Sequence, residues 1–451
     1  MQTLWFETAL VGGDWAERVR LEISDGRVSA IRTQVAAEPG DERHAIGLPG
    51  LPNLHSHAFQ RGMAGLAEAR GPSGDDFWSW RDLMYRFLDR LGPDDVEGIA
   101  AQAYAEMLES GFTRVGEFHY LHHDVAGRPY AAPAEMASRI AAAAETSGIA
   151  LTLLPVFYAH GGFGGAAPGV AQRRFLSAVD SYASLLDGSR TAVSPLPDAV
   201  VGVAPHSLRA ATREELAAIL PLAGADPIHI HIAEQRREVA DCLAWSGQRP
   251  VEWLLEAMPV DSRWCLVHAT HMTEGERTAL AQSAATAGLC PITEANLGDG
   301  IFPAAAYLEE GGSFGIGSDS NVRIDAAEEL RLLEYGQRLQ GEARCVLGRP
   351  ERPSVGASLF VGALRGGARA LGVDAAITCG CSADIISLDA HDSSLVGRKG
   401  DALLDSWIFA SRRPIDCVWR RGRKVVEAGR HIRADVIRQR YVATLARLLD
   451  A

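Results

Sequence analysis

The chain has 451 residues, 47% hydrophobic and 22% charged, ordinary proportions for a globular protein long enough to bury a large core. Its 44 basic and 57 acidic residues give a formal net charge of -13, which argues against a broad nucleic-acid-binding surface. Only Lys399 and Lys424 are lysines, so residues 1–398 offer no amine for a Schiff base, a phosphate-binding loop or a carbamylated metal bridge.

In chain order, the first residues lack the basic region and following apolar stretch of a signal peptide. Residues 3–33 read as three short strands, LWFETALV, ERVRLEIS and VSAIRT, broken at Gly12-Gly13 and Asp25-Gly26. Asp-Gly between alternating apolar runs is a hairpin signal. The stretch VAAEPGDERHAIGLPG reads as a linker. Eight apolar runs then alternate with helical patterns: 50–57, 111–119, 149–157, 199–206, 227–234, 263–270, 288–293 and 313–319. Such a rhythm predicts an α/β fold, a (β/α)8 TIM-like barrel, with a doubly wound sheet as the structural alternative. Strand-like texture returns at 383–389, 406–412 and 416–430, with Arg421-Gly422 as a turn. Neither β-rich end is large enough to hold a core alone. The expected layout is therefore a barrel over 48–374 and one small β-sandwich domain built from 1–47 and 375–430. An amphipathic helix is expected within 431–451. No run approaches the roughly 18 apolar residues of a membrane span. The seven cysteines are scattered and fit neither a zinc knuckle nor a redox motif, which suits reduced thiols and a cytoplasmic protein.

Chemistry-bearing residues fall at the ends of the barrel runs. His55-Ser56-His57 closes the first run, and alternate residues of a strand face the same way, so both imidazoles can converge on one ion. His229 and His231 repeat the pattern in the fifth run, with Glu234 just beyond, in reach of a metal-bound water and able to move protons. His229, deeper in the strand, reads as a hydrogen-bonded core histidine. His268 ends the sixth run and Asp319 the eighth. Each alone would be an unremarkable cap or turn residue; together, at one edge of a barrel, they predict a metal site. His122-His123 are expected to play supporting or surface roles, and the glycine-rich segment Gly161–Gly165 reads as a mobile loop over the site.

This constellation resembles the amidohydrolase superfamily, and the resemblance spans essentially the whole chain. It implies His55, His57, His231 and Asp319 as ligands of one Zn2+ per subunit, with Fe2+ possible, because three nitrogens and one oxygen suit these ions and leave an open position for water. The missing barrel lysine removes the carbamate bridge of dinuclear members and points to the single-metal deaminase branch. There Glu234, His268 and Asp319 would be catalytic. The segments LPGLPNLHSHAFQRGMAG, FWSWRDLMYRF, EFHYLHH, APHSLR and HIHIAEQ resemble the deiminases of N-formimidoyl-L-glutamate in histidine degradation. That likeness implies hydrolysis to N-formyl-L-glutamate and ammonia, with Gln60, Arg81, Tyr120, His206 and Arg209 lining the substrate pocket, and a homodimer. A dianionic small-molecule substrate would need local arginines in so acidic a protein, and guanidinium forks bind carboxylates bidentately. The alternative is another single-metal deaminase acting on guanine or a related amino-heterocycle.

Overall fold

The computed structural model describes residues 2–70, 76–412 and 414–449. The N-terminal strands are β1 (Gln2–Val11), β2 (Asp14–Ser24), β3 (Arg27–Arg32) and β4 (Glu42–Pro49). Barrel strands follow: β5 (Leu51–Ser56), β6 (Phe112–His119), β7 (Ala150–Phe157), β8 (Val200–Val201), β9 (Ala204–Pro205), β10 (Ile228–Ile232), β11 (Trp264–His268), β12 (Thr286–Leu289) and β13 (Ser313–Ile316). The chain ends with β14 (Ile385–Leu388), β15 (Ile415–Arg420), β16 (Arg423–Glu427), β17 (Arg430–His431) and the helix Ala434–Leu449.

The barrel strands form two parallel arcs, β5-β6-β7-β8 with β9 also on β7, and β10-β11-β12-β13. Every residue of β5, β6, β7, β10, β11 and β12 is buried. That is the pattern of parallel strands covered by helices on one side and filled by side chains on the other. Isolated bridges join the arcs, Ser56 with Asp319 at one seam and Val203 with Ile228 and Ser207 with His231 at the other. At the first seam the His57 amide donates to the Asp319 carbonyl (2.9 Å) and the Asp319 amide to the His55 carbonyl (3.0 Å). At the second the His231 amide donates to the His206 carbonyl (3.0 Å). Barrel closure thus runs through the backbone of the residues singled out for chemistry.

The two chain ends build one eight-stranded sheet, in the order β17-β16-β15-β14-β4-β1-β2-β3. It closes over its own core, where Leu4, Phe6, Leu21, Ile23, Ile385 and Trp419 pack together. An ion cluster ties this sheet to the barrel. Asp198, just before β8, lies 2.9 Å from Arg114 of β6 and 2.8 Å from Arg420 of β15, which also pairs with Asp384. The C-terminal helix packs against Pro93–Glu109, where Arg440 meets Glu97 and Arg447 meets Asp95. No helix among the described residues is long and apolar enough to cross a membrane.

Four local expectations are corrected. The linker contains β4, which pairs in parallel with β1 and antiparallel with β14. Its polar half hides it in the sequence, yet His44 meets Asp416 at 3.2 Å and Glu42 meets Lys424 at 2.7 Å. The run 406–412 is not a strand: most of it belongs to the helix Asp401–Phe409, whose buried Leu403, Leu404, Trp407 and Ile408 follow a helical period. The fourth run splits into β8 and β9 around Gly202, where a side chain would press within 2.6 Å of the Pro227 carbonyl. The seventh begins earlier, at Thr286, and stops at Leu289, because Pro291 opens the helix Pro291–Leu297.

Candidate active site

His55 lies in β5 and His57 one residue beyond it, His231 in β10, His268 at the last position of β11 and Asp319 three residues past β13. All five side chains converge at the C-terminal end of the barrel. His55 Nε2 lies 3.2 Å from His57 Nε2 and 3.0 Å from His231 Nε2. Asp319 Oδ1 lies 3.5 Å from His55 Nε2 and 3.3 Å from His57 Nε2. Four donors at zinc-type bond lengths would stand about 3.3 Å apart around a tetrahedral ion, so this set fits one cation. Burial holds His55 and His231 well below the ordinary histidine range and lowers His57 despite Asp319. All three are therefore neutral, the form that binds metal. Two of them are oriented from behind, His57 Nδ1 by the Phe118 carbonyl at 2.8 Å and His231 Nδ1 by the His206 carbonyl at 3.0 Å. Those contacts place the protons on Nδ1 and leave Nε2 free for an ion.

Backbone strain gathers at this edge. Ala233, His268 and Asp319 have φ of 52°, 69° and 43°, left-handed values rare outside glycine. Surrounding hydrogen bonds hold them there. Glu238 accepts from the Ala233 and Glu234 amides at 3.2 and 3.3 Å. Asn321 Nδ2 donates to the Asp319 carbonyl at 3.0 Å and to Ser56 Oγ at 3.1 Å. Asn53 Oδ1 accepts the Ser318 amide at 3.0 Å.

Beside the histidine cluster lies an acid–base group. His268 Nε2 stands 3.6 Å from Glu234 Oε1 and 3.8 Å from Asp319 Oδ2, and its Nδ1 meets Glu294 Oε1 at 3.2 Å. Burial alone would neutralise His268, but these carboxylates outweigh it and hold the ring charged, well above the ordinary range. Burial, reinforced by Asp319, pushes the Glu234 carboxyl up to about 7. Burial also pushes Asp299 up to about 9, with Glu234 adding to the shift. Gln235 donates to Asp299. Sequence reasoning missed Glu294 and Asp299. They lie between the seventh and eighth strands, at no strand end, and no spacing signal connects them to His268.

The cavity over this group is lined by Gln60, Arg81, Tyr120, His206 and Arg209, all five residues expected there, together with His57, His231, Glu234, His268 and Asp319. His55 lies behind this wall. The helix α1 (Phe77–Leu88) closes one side with Phe77, Trp80, Arg81, Met84 and Tyr85. Tyr85, Tyr158 and Phe175 extend this aromatic wall; no motif or spacing marks the last two. Gln60 Nε2 donates to Tyr120 Oη at 2.9 Å. Arg81 and Arg209 make no ion pair with any described residue, and Nε of each is buried without a hydrogen-bond partner. His229 Nε2 donates to the Ala370 carbonyl at 2.7 Å inside the barrel, the core role expected of it. His122 Nε2 meets the Val156 carbonyl at 2.8 Å and His123 Nε2 the Leu176 carbonyl at 2.6 Å. In the glycine-rich segment, Gly161 reaches the cavity wall and Phe163 stacks on Trp245 with centroids 5.6 Å apart.

The amidohydrolase family matches residues 46–425, and the N-terminal domain of formimidoylglutamate deiminase HutF matches residues 1–45. The chain is 50% identical over 456 residues, 100% of both chains, to formimidoylglutamate deiminase of Pseudomonas aeruginosa. It is 28% identical over 363 residues, 78% of this chain and 75% of the other, to a 5-methylthioadenosine/S-adenosylhomocysteine deaminase of Natronomonas pharaonis. The crystal structure of an amidohydrolase from Brucella melitensis superposes with a TM-score of 0.97 at 53% identity, covering 100% of both chains.

Proposed function

The chain belongs to the amidohydrolase family, and from that premise we propose that it is a formimidoylglutamate deiminase, hydrolysing N-formimidoyl-L-glutamate to N-formyl-L-glutamate and ammonia. The observation that carries this reading is the pair of guanidiniums, Arg81 and Arg209, on the wall of the cavity that holds the donor cluster, with no ion pair to any described residue; Glu238 and Glu234 act on Arg209 only at longer range. Two unpaired positive charges at a site suit a substrate with two carboxylates. Guanine can accept one guanidinium fork at O6 and N7 but carries no carboxylate to neutralise two cations.

In this reading His55, His57, His231 and Asp319 hold the metal, which when bound would lower the pKa of the attacking water and polarise the amidine. Zinc is the ion best suited to the three nitrogens and one oxygen. Asp319 accepts the proton that the water gives up. Glu234, whose raised pKa lets it hold a proton near neutral pH, delivers one to the imino nitrogen. Asp319 then returns its proton to the same nitrogen, which leaves as ammonia as the carbon–nitrogen bond breaks, and Glu234 takes the remaining hydroxyl proton to leave the formyl group. His268, kept charged and oriented by Glu294, stabilises the negative charge that develops at the attacked carbon's substituent. Arg81 and Arg209 bind the carboxylates; Gln60, Tyr120 and His206 orient the chain between the two ends. The aromatic wall excludes water from the reacting groups. The same reading carries with it a place in histidine degradation, a cytoplasmic location and a homodimer, all extending the likeness to the deiminases.

An assay of ammonia release tests it. The metal-loaded protein is expected to turn over formimidoylglutamate and to leave guanine untouched. Release from guanine with none from formimidoylglutamate overturns the proposal in favour of a heterocycle deaminase.

A further inference from the structure

We propose that Trp78 is a positioning residue for the carboxylate end of the site, its indole gathering Arg81 and Arg209 into one receptor for a dicarboxylate. The inference rests on the proposed function only in naming the substrate. Trp78 is the second residue of α1 and is absent from the cavity wall, so it acts from behind the groups that touch the ligand. The Arg81 guanidinium carbon sits 4.3 Å from its ring centroid, that of Arg237 4.6 Å and that of Arg209 5.8 Å. These arginines come from three separate parts of the chain: α1, the loop after β9, and the helix Arg236–Ser246. One indole therefore joins three positive charges in a protein whose net charge is -13.

The choice of an aromatic partner has a chemical reason. A carboxylate would offset the repulsion between neighbouring guanidiniums, but it would occupy the N–H fork that a substrate needs. A ring attracts the cation through its quadrupole and leaves the N–H donors in the guanidinium plane free. The buried Arg81 Nε and Arg209 Nε, both without partners, fit that arrangement. Arg237, off the cavity wall, has among the described residues only Asp241 at 3.7 Å as an ion-pair partner. Trp78 itself is fixed by the start of α1, where Asp76 Oδ1 accepts the Trp78 amide at 2.9 Å and the Ser79 amide at 3.1 Å.

The test compares wild type with Trp78→Leu and Trp78→Phe in the full-length, metal-loaded enzyme. Loss of the ring is expected to raise KM for formimidoylglutamate about tenfold, with kcat within about twofold because the reacting end is untouched. The competitive inhibition constant of glutarate, a dicarboxylate without the amidine, should rise in parallel. Trp78→Phe, which keeps a smaller ring, should fall between the two. Unchanged KM and glutarate inhibition in Trp78→Leu overturn the inference, as does a fall in kcat at constant KM. If Trp78→Leu does not fold, Trp78→Phe carries the comparison alone. If wild type fails to deiminate formimidoylglutamate, the functional reading falls, and calorimetry of glutarate binding still decides this inference. Weaker binding by the variants supports it; equal binding, or none to wild type, overturns it.

Discussion

Glu234 and His231 stand three residues apart and do different work. His231, inside β10, is held neutral by burial and faces the histidine cluster. Glu234, past the strand end, keeps a proton near neutral pH. Glu234→Gln should therefore abolish ammonia release while the bound metal, measured by elemental analysis, stays at the wild-type level. Near-normal release would remove Glu234 from the mechanism. Arg209→Met should raise KM by about a hundredfold, the scale of one charged hydrogen-bonded pair, and kinetics with formimidoylglutamate check it. The histidines and Asp319 were legible because strand ends and alternate spacing mark them. Glu294 was not legible. Its link to His268 spans 26 residues and exists only as the 3.2 Å contact between two side chains brought together by the barrel.

At the scale of elements, the errors share a cause: local pattern was outvoted by packing. β4 carries Glu42, Arg43 and His44, a polar start that reads as loop, but β1 and β14 on its two sides supply the hydrogen bonds. The segment around Trp407 has a strand-like texture by itself; packing on the helix Val355–Ala370, with Phe360 and Trp407 centroids 5.7 Å apart, makes it helical. The contact between barrel and sheet was also unreadable, since Arg114, Asp198 and Arg420 lie far apart in sequence. Burial favours a neutral Asp198, but Arg420 and Arg114 outweigh it and hold its carboxyl below the ordinary range. A carboxylate held low in the folded state stabilises the protein above its unfolded pKa, about 3.9, and that stabilisation is lost as pH falls through the folded value. Asp198→Asn should cost about 3 kcal/mol at pH 7, because buried Arg114 loses its ion-pair partner and Arg420 is left with Asp384. Denaturant melts at pH 7 and in acid should show the gap between wild type and variant narrowing below about pH 4.

At the scale of the molecule, the two ends of the chain depend on each other. β1 and β4 are central strands of a sheet whose other half comes from the C-terminal end. Removing residues 1–45 would take away β1, β2 and β3, leave the Ile46–Pro49 stretch that pairs with β14 without its β1 neighbour, and expose Ile385 and Trp419, which are fully buried in the whole chain. The truncated protein is expected in the insoluble fraction; a soluble, active product would show the sheet to be dispensable. The donor cluster couples metal to stability as well, since an ion that binds only the folded chain stabilises it by mass action. Chelation should lower Tm and stop ammonia release, and added zinc should restore both. A fully stripped protein with unchanged Tm and activity would contradict a metal held by His55, His57, His231 and Asp319.

The sequence by itself determined the barrel rhythm, the pairing of the two β-rich ends and the side chains gathered at one rim, because these follow from alternation, strand-end position and the absence of barrel lysine. Its likeness to the deiminases also pointed to Arg81 and Arg209 as the carboxylate-binding groups proposed for the site. Only the tertiary structure decided how the barrel closes, through hydrogen bonds between the backbones of His55, His57 and Asp319 at one seam. It alone brought Glu294 to His268 and three arginines to Trp78, contacts between elements distant in sequence. Periodicity records which way a side chain faces along its own strand or helix. What that side chain meets depends on how separate elements pack, and no local pattern carries that.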